Sequence, residues 1–219
     1  MTSGANAGLF LTFEGVEGGG KSTQMRLLCD RLGAMGYPVT VNIEPGGTRI
    51  GKQIRAILLE AANHELSAPA ELLLFFASRA QAVDQLIVPA LRAGHIVVSD
   101  RFTDSSFAYQ GIARGLGEEW IASLETVACR GLRPDLTLCL DIEVESGLER
   151  ARARNRESGG KETRLDDESL AFHRKVRDGY QLLAAREPGR VRLIDASAPV
   201  ADVAQAVWDC VSPLLAKRT

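Results

Sequence analysis

Short apolar runs alternate along the chain with longer segments in which apolar residues recur at helical spacing. The short runs predict β-strands over residues 9–13, 37–43, 95–100, 135–142 and 190–195. The longer segments predict helices over residues 22–35, 51–62, 68–93, 118–129, 144–154, 166–186 and 200–216. This alternation favours an α/β fold in which helices cover both faces of a parallel sheet. Ligands of such sheets bind beyond the carboxyl ends of the strands, so candidate site residues should follow strands.

The first predicted strand runs directly into the glycine-rich stretch "EGVEGGGKST" and then into a predicted helix. Gly15, Gly20, Lys21 and Ser22 satisfy the pattern GxxxxGK[S/T], which in this context predicts a loop that cradles the phosphates of a nucleoside triphosphate. We expect Lys21 to reach the terminal phosphates and the Ser22 hydroxyl to bind Mg²⁺. The alternative is a glycine-rich turn that merely joins strand to helix. The predicted ATP-binding residues are Gly15, Val16, Glu17, Gly18, Gly19, Gly20, Lys21, Ser22 and Thr23.

Two acidic residues lie at positions where their carboxylates could face a second substrate or a metal ion. Glu17 would repel phosphate if it pointed into the loop, so we expect it to face a second substrate or its metal-bound water. Asp100 ends the third predicted strand, where an acidic residue beside a phosphate-binding loop commonly holds Mg²⁺. Arg101 follows it, and its planar guanidinium suits a doubly charged phosphate. The alternative for this pair is a surface ion pair.

Two pairs of residues with helical spacing could form a pocket for a second substrate. Phe75 and Arg79 are four positions apart, as are Ser106 and Gln110. A flat heterocyclic base packed on Phe75, with hydrogen-bond donors and acceptors at its edge, would suit Arg79 and Gln110. The alternative is a core aromatic residue beside an arginine that reaches the surface.

Basic residues cluster around the polar, glycine-containing stretch 155–163, which we expect to be a flexible loop. The cluster consists of Arg154, Arg156, Lys161 and Arg164. A solvated helix end is the ordinary interpretation of such a run. A basic loop that closes as a lid, however, would stabilise a migrating phosphoryl group and exclude water.

Composition restricts the remaining possibilities. A chain of 219 residues, 45% apolar and 25% charged, fits one globular domain over residues 1–219. The net charge of −2 gives no indication of a nucleic-acid-binding surface. The four cysteines are far apart, which favours reduced thiols. No apolar run approaches the length of about 20 residues that spans a membrane. We therefore expect a cytoplasmic protein without a membrane or nucleic-acid partner.

Taken together, the motifs resemble those of the thymidylate kinases, within the nucleoside-monophosphate kinase group. The resemblance covers nearly the whole chain through "FEGVEGGGKST", "EPGGTRIGKQIR", "LLLFFASRAQ", "SDRFTDSSFAYQG" and "ARARNRESGGKETRLDDESLAFHRKVRDGY". It implies the P-loop nucleoside-monophosphate kinase fold, a five-stranded parallel sheet flanked by helices, with a mobile lid at about residues 154–165. It also implies transfer of phosphate from ATP to dTMP with Mg²⁺, in a homodimer.

The resemblance further implies roles for individual residues. The implied catalytic residues are Lys21, Arg101 and a lid arginine, with Arg154 and Arg156 favoured over Arg164. Ser22 and Asp100 would serve the metal. The implied dTMP-binding residues are Glu17, Glu44, Arg55, Phe75, Arg79, Arg101, Ser106, Tyr109 and Gln110. Among them, Arg55 and Arg101 would grip the phosphate, Phe75 would stack on thymine, and Tyr109 would pack near the deoxyribose.

The family divides by whether an extra arginine lies in the P-loop or in the lid, and bare Gly18 and Gly19 here imply the lid type. The chain departs from the family pattern at Ile43, which replaces the usual arginine, and at Arg49, which replaces a frequent proline. The lid also carries the insertion "ESGGKET". The change at Ile43 either removes one phosphate contact or leaves it to Arg49, and the insertion leaves the closing geometry of the lid open.

Three other functions have to be weighed against a dTMP kinase. The first is a kinase for another pyrimidine monophosphate or a deoxynucleoside. A GTP-dependent switch would usually carry an NKxD motif, and the chain has no Asn–Lys pair. An ATP-driven motor or binding module would hydrolyse ATP without a small acceptor.

Overall fold

In a computed structural model, which describes residues 8–158 and 163–216, the predicted alternation of strands and helices is confirmed. The five strands are β1 (Leu9–Glu14), β2 (Val39–Ile43), β3 (Ile96–Asp100), β4 (Leu136–Asp141) and β5 (Val191–Asp195). They form a parallel sheet in the order β2-β3-β1-β4-β5. Each lies within two residues of its predicted bounds at either end.

The central strand of the sheet determines where the loops that could bind a ligand come together. All six residues of β1 are buried, because β3 and β4 flank it and helices cover both faces. Phe13 is in register with Asp100 of β3 and with Leu138 of β4. The carboxyl ends of these three parallel strands therefore meet at one edge of the sheet, and the loops that follow them converge there.

The helices also follow the predicted pattern, with the predicted bounds of two of them reproduced in full. They are α1 (Lys21–Ala34), α2 (Arg49–Leu59), α3 (Ala68–Ala82), α4 (Val88–Arg92), α5 (Thr103–Ser106), α6 (Glu118–Cys129), α7 (Val144–Ser158), α8 (Leu170–Arg186) and α9 (Val200–Ala216). A π-helical turn, Val83–Ile87, joins α3 to α4, and a π-helical segment, Phe107–Ala113, continues α5.

Several helix boundaries differ from the prediction for local reasons. Helix α2 begins earlier because the Thr48 side chain caps it by accepting a hydrogen bond from the Gly51 amide at 2.9 Å. Helix α8 begins at Leu170, after Ser169 accepts from the Phe172 amide at 3.2 Å. Helix α7 continues to Ser158, so the first part of the expected loop 155–163 is helical. Residues 159–162, with Lys161, lie outside the described part of the chain.

The helical region from Thr103 to Ala113 was not among the predicted helices, and only the spacing of Ser106 and Gln110 pointed to it. Its first turn, Thr103–Ser106, is buried although all four residues are polar, so that turn carries no apolar pattern. The region packs against α8, a helix some 70 positions later in the sequence. Tertiary contacts therefore determine this element.

The continuous helical run Ala68–Arg92 is long and apolar enough, by length and composition, to cross a membrane. Its apolar residues Leu72, Phe76, Val83 and Ile87 are instead buried in the hydrophobic core. A core helix passes the same test, so the run is weak evidence for a membrane.

Candidate active site

A cavity of about 560 Å³ opens at the carboxyl ends of β1, β2 and β3. Its walls come from the P-loop, the turn after β2, helices α2 and α3, the segment after β3, and the two flanks of the predicted lid. The residues that line it are Glu17, Gly18, Lys21, Ser22, Ile43, Glu44, Pro45, Arg55, Leu59, Phe75, Asp100, Arg101, Ser105, Ser106, Tyr109, Gln110, Arg154, Asn155, Leu165 and Asp166.

The glycine-rich loop between β1 and α1 forms one end of this cavity. Gly15, Gly18 and Gly20 have φ values of 124°, 70° and 84°, a region that L side chains rarely adopt. The loop places Gly18, Lys21 and Ser22 on the cavity wall, with Val16 buried behind it and Thr23 exposed on α1. The loop thus has the curled backbone that phosphate binding requires.

Lys21 is held inside the loop. Its Nζ donates hydrogen bonds to the carbonyl oxygens of Gly15 (3.1 Å) and Val16 (2.8 Å). Burial, together with the charge of Arg101, lowers the pKa of Lys21 to about 8, although Asp100 and Glu17 oppose the shift. The ammonium group is therefore positioned at the loop and held by carbonyl oxygens.

A close backbone contact joins the loop to α7. A Cβ atom built on Gly18 would lie 1.9 Å from the carbonyl oxygen of Gly147, and one built on Gly147 would lie 2.5 Å from the carbonyl oxygen of Glu17. Neither position accepts a side chain without movement of the backbone. Position 18 therefore has no room for an arginine side chain unless the backbone moves.

Arg101 is the centre of a hydrogen-bond network on the cavity wall. Its Nη2 donates to Oε1 of Glu17 (3.2 Å) and to the Tyr109 hydroxyl (3.1 Å). Its Nη1 donates to the Ser105 hydroxyl (3.1 Å) and to the Tyr180 hydroxyl (3.0 Å). The backbone of Arg101 has a φ of 70°, which is uncommon outside glycine and holds the side chain over the cavity.

Glu17 lies beside Arg101 at the junction of the P-loop and the rest of the cavity. It accepts a hydrogen bond of 2.5 Å from the Tyr109 hydroxyl, and its Oε2 is 3.2 Å from Nδ1 of the buried His173. Burial alone would raise the pKa of Glu17, but His173, Arg101 and Lys21 lower it to about 2. The carboxylate is therefore ionised and faces Arg101.

Glu14 supports the same network from beneath. It is fully buried at the end of β1 and accepts hydrogen bonds from the Phe102 amide (2.7 Å), the Ser105 hydroxyl (2.5 Å) and the Tyr180 hydroxyl (2.8 Å). Burial, followed by the charge of Asp104, raises the pKa of Glu14 to about 7. These bonds fix the two hydroxyl groups that receive the Arg101 guanidinium.

Ser22 and Asp100, the predicted metal ligands, lie together. The Ser22 hydroxyl is 3.5 Å from Oδ2 of Asp100, and both residues line the cavity beside the P-loop. A hydroxyl and a carboxylate are oxygen donors of the kind that Mg²⁺ prefers. The pair therefore fits a magnesium ion that takes its other ligands from phosphates and water.

The predicted base-binding residues come from α3 and from the helical region after β3. Phe75, Ser106 and Gln110 line it. Arg79 lies behind the wall, where it donates to Oε2 of Glu44 (2.7 Å), the Ser106 hydroxyl (2.9 Å) and a backbone carbonyl. Its guanidinium therefore holds two lining residues in place.

The structure separates the three arginines predicted for the lid. Arg154 lines the cavity and lies 3.5 Å from Oδ2 of Asp166, while Arg156 is exposed outside it. Arg164 is buried away from the cavity, where its Nη1 lies 2.7 Å from Oε2 of Glu71 and its Nε donates to the Leu58 carbonyl. Of these three, the structure brings Arg154 to the site.

Arg55, predicted to grip a phosphate, also lines the cavity. Its Nη1 donates to the carbonyl oxygen of Pro45 at 2.9 Å. Ile43, which replaces an arginine of the family pattern, lines the cavity nearby.

Sequence reasoning missed four buried residues that hold the site together: Glu14, Glu71, His173 and Tyr180. Each contacts partners that are at least 39 positions away. For Glu14, the available signal was a charged residue at the end of an otherwise apolar strand. For His173 and Tyr180, it was two polar residues seven positions apart on one face of α8.

Comparison with known proteins agrees with this geometry. The model of the family described as "Thymidylate kinase" matches residues 13–207. The chain is 50% identical over 212 residues to the thymidylate kinase of Desulfovibrio desulfuricans, which covers 96% of this chain and 98% of that protein. It is 51% identical over 209 residues to the thymidylate kinase of Trichlorobacter lovleyi, which covers 95% and 99%.

Among solved structures, the fold is similar to the crystal structure of thymidylate kinase from Ehrlichia chaffeensis. The TM-score is 0.76 at 29% sequence identity, over 94% of this chain and 99% of that one. The expected P-loop nucleoside-monophosphate kinase fold is thereby confirmed.

Proposed function

We propose that this chain, which belongs to the thymidylate kinase family, transfers the γ-phosphoryl group of ATP to dTMP, giving dTDP and ADP. The observation that carries this function is the single cavity shared by two sets of residues. A phosphate-binding loop with Lys21 lines it together with Phe75 and Gln110, and Arg101 donates both to Glu17 of the loop and to Tyr109 beside Gln110. A nucleotide donor and a nucleoside monophosphate can therefore meet with their phosphates adjacent.

ATP occupies the P-loop in this proposal. The loop amides and the start of α1 bind its phosphates, and Lys21 exchanges its carbonyl partners for phosphate oxygens. Ser22 and Asp100 would hold Mg²⁺, which would neutralise charge on the transferred phosphate.

The phosphate of dTMP lies against Arg101 and Arg55, whose forked guanidinium groups match phosphate oxygens. A phosphate oxygen of dTMP attacks the γ-phosphorus in line, and the chain contributes mainly position and charge. No general base is needed, since a phosphate monoester is largely ionised near neutral pH. Phe75 stacks on the thymine, Tyr109 packs near the deoxyribose, and Ser106, Gln110 and Arg79 define the base pocket.

We assign the additional cation to the lid, at Arg154. It already lies on the cavity wall, on the helix whose Gly147 touches the P-loop. Arg156 is a second candidate on the same helix, whereas the burial of Arg164 against Glu71 favours a structural role.

We further propose that the chain acts in the cytoplasm as a homodimer of one-domain subunits. Support for the dimer comes from α3 and α6, which pack on each other and leave the side chains of Leu73 and Val127 exposed by 53% and 75%. A contiguous apolar patch marks a surface that associates, and in this proposal the two side chains belong to one such patch.

The substrate assignment is tested with purified protein, ATP, Mg²⁺ and each nucleoside monophosphate in turn. We expect dTMP to have the highest kcat/KM, with formation of equal amounts of dTDP and ADP. A preference for another monophosphate or for a nucleoside would refute the substrate assignment. ADP release at the same rate without any acceptor would instead support a motor or hydrolytic module.

The titration of Lys21 gives a second prediction. We expect kcat/KM for ATP to fall as the pH rises through about 8, because the protonated ammonium binds phosphate and loses its charge there. In the ternary complex the phosphates restore charge partners and raise that pKa, so kcat should fall only at higher pH. Initial rates at saturating dTMP, from about pH 6 to 10, measure both profiles. Identical midpoints for kcat and kcat/KM would contradict this role.

A further inference from the structure

The carboxylate of Glu71, in the first turn of α3, is fully buried and receives hydrogen bonds from three directions. Nε2 of Gln110 donates to its Oε1 at 2.8 Å. Nη2 of Arg114 donates to its Oε2 at 3.0 Å, and Nη1 of Arg164 lies 2.7 Å from the same oxygen. Both carboxylate oxygens therefore have donors, although Glu71 itself does not line the cavity.

The charge state of Glu71 determines how the Gln110 amide must lie. Burial opposes ionisation, but hydrogen bonds from Arg114 and Gln110 and the charges of Arg114 and Arg164 lower the pKa of Glu71 overall. An ionised carboxylate accepts hydrogen bonds and donates none. The Gln110 amide must therefore turn its NH₂ group toward Glu71.

This orientation leaves Oε1 of Gln110, an acceptor, for the cavity that the residue lines beside Phe75. An acceptor at the edge of a stacked pyrimidine pairs with the N3–H group of thymine or uracil. Cytosine carries an unprotonated N3, so two acceptors would face each other. With the amide turned over, the same glutamine would favour cytosine, so Gln110 by itself does not determine the base.

We propose that Glu71 is the positioning residue that sets base selectivity, because it fixes the amide of Gln110 with its acceptor toward the base. This inference rests on the proposed function, with the base at the Phe75 end of the cavity. The selectivity is thus determined by a residue that touches neither substrate.

The test compares dTMP with 5-methyl-dCMP. These two nucleotides differ only along the edge of the base that carries N3 and would face Gln110. In Glu71→Gln, the new side chain has an NH₂ group that can donate to Gln110, so both amide orientations become available. We expect the ratio of kcat/KM for dTMP to that for 5-methyl-dCMP to fall by about tenfold or more. Glu71→Asp keeps the charge beside both arginines but draws the acceptor back from Gln110, and should lower the ratio without loss of folding.

The matched control is Arg114→Lys, which disturbs the same cluster but leaves the Glu71–Gln110 bond in place, and should preserve the ratio. Gln110→Ala removes the amide, and adding Glu71→Gln to it should change the ratio no further. A wild-type ratio in both Glu71 variants, or an equal effect of Glu71→Gln with and without Gln110, would overturn the inference.

The same measurements distinguish a failure of the proposed dTMP kinase function from a failure of the inference about Glu71. A wild-type enzyme that prefers 5-methyl-dCMP to dTMP would refute the substrate assignment itself, whereas equal use of the two nucleotides would overturn only the inference about Glu71. A wild-type preference that is lost in Gln110→Ala but kept in the Glu71 variants would refute the role of Glu71 alone.

Discussion

Replacing Arg101 by alanine is expected to lower kcat/KM for dTMP by about 10³-fold, because one positioned cation at a transferring phosphoryl group contributes that much. The guanidinium lines the cavity between the P-loop and the base pocket, and Glu17, Tyr109, Ser105 and Tyr180 hold it there. Steady-state kinetics with dTMP varied at saturating ATP measures the loss.

Two further variants make this result specific. Arg101→Lys keeps the charge but lacks the forked geometry, so it should recover only part of the activity. Arg26→Ala removes an exposed arginine of α1 that pairs with Asp30 on the surface, and should leave kcat/KM unchanged. The thermal midpoint of Arg101→Ala should also fall, since Glu17 then loses a buried partner. Turnover within about threefold of wild type would exclude Arg101 from phosphate binding.

Adding one methyl group at Gly147 is expected to lower kcat by about 10²-fold, although the residue carries no functional group. The new Cβ would lie 2.5 Å from the carbonyl oxygen of Glu17, so the P-loop or α7 must shift. A displacement of about 1 Å in a reacting group lowers the rate by about this factor. Measurements of kcat and of KM for ATP in Gly147→Ala report the change.

Gly33→Ala is the matched control for this substitution. Gly33 lies within α1, and a Cβ built there meets no atom of the described residues within 4 Å. Alanine should therefore leave the kinetics unchanged and raise stability slightly through its helix propensity. Wild-type kcat and KM in Gly147→Ala would show that the contact between loop and helix does not position the phosphates.

Local patterns in the sequence predicted the strands and the phosphate-binding loop because these depend on near neighbours. A strand buried on both faces must be an apolar run, as β1 and β3 are. The curled loop needs glycine where φ is positive, as at Gly15 and Gly18. Asp100 and Arg101 were predicted for the site because residues that follow a parallel strand lie at its ligand-binding edge.

The rest of the site depends on partners that are distant in sequence. Arg79 was predicted to bind the substrate and Arg164 to be a lid arginine, and the structure pairs them with Glu44 and Glu71, respectively 35 and 93 positions away. The orientation of the Gln110 amide likewise depends on Glu71, which local spacing does not connect to it. Such pairs of residues contact each other only after the helices pack together, so their spacing in the sequence does not predict them.

The cavity wall combines four carboxylates with four cationic side chains among the described residues. The acidic members are Glu17, Glu44, Asp100 and Asp166, and the basic members are Lys21, Arg55, Arg101 and Arg154. A site with balanced charge exerts little attraction on an anion beyond the Debye length of about 8 Å at physiological salt. We therefore expect the rate of encounter with dTMP to depend only weakly on salt concentration, with discrimination between anions arising from contact with the donors of the site.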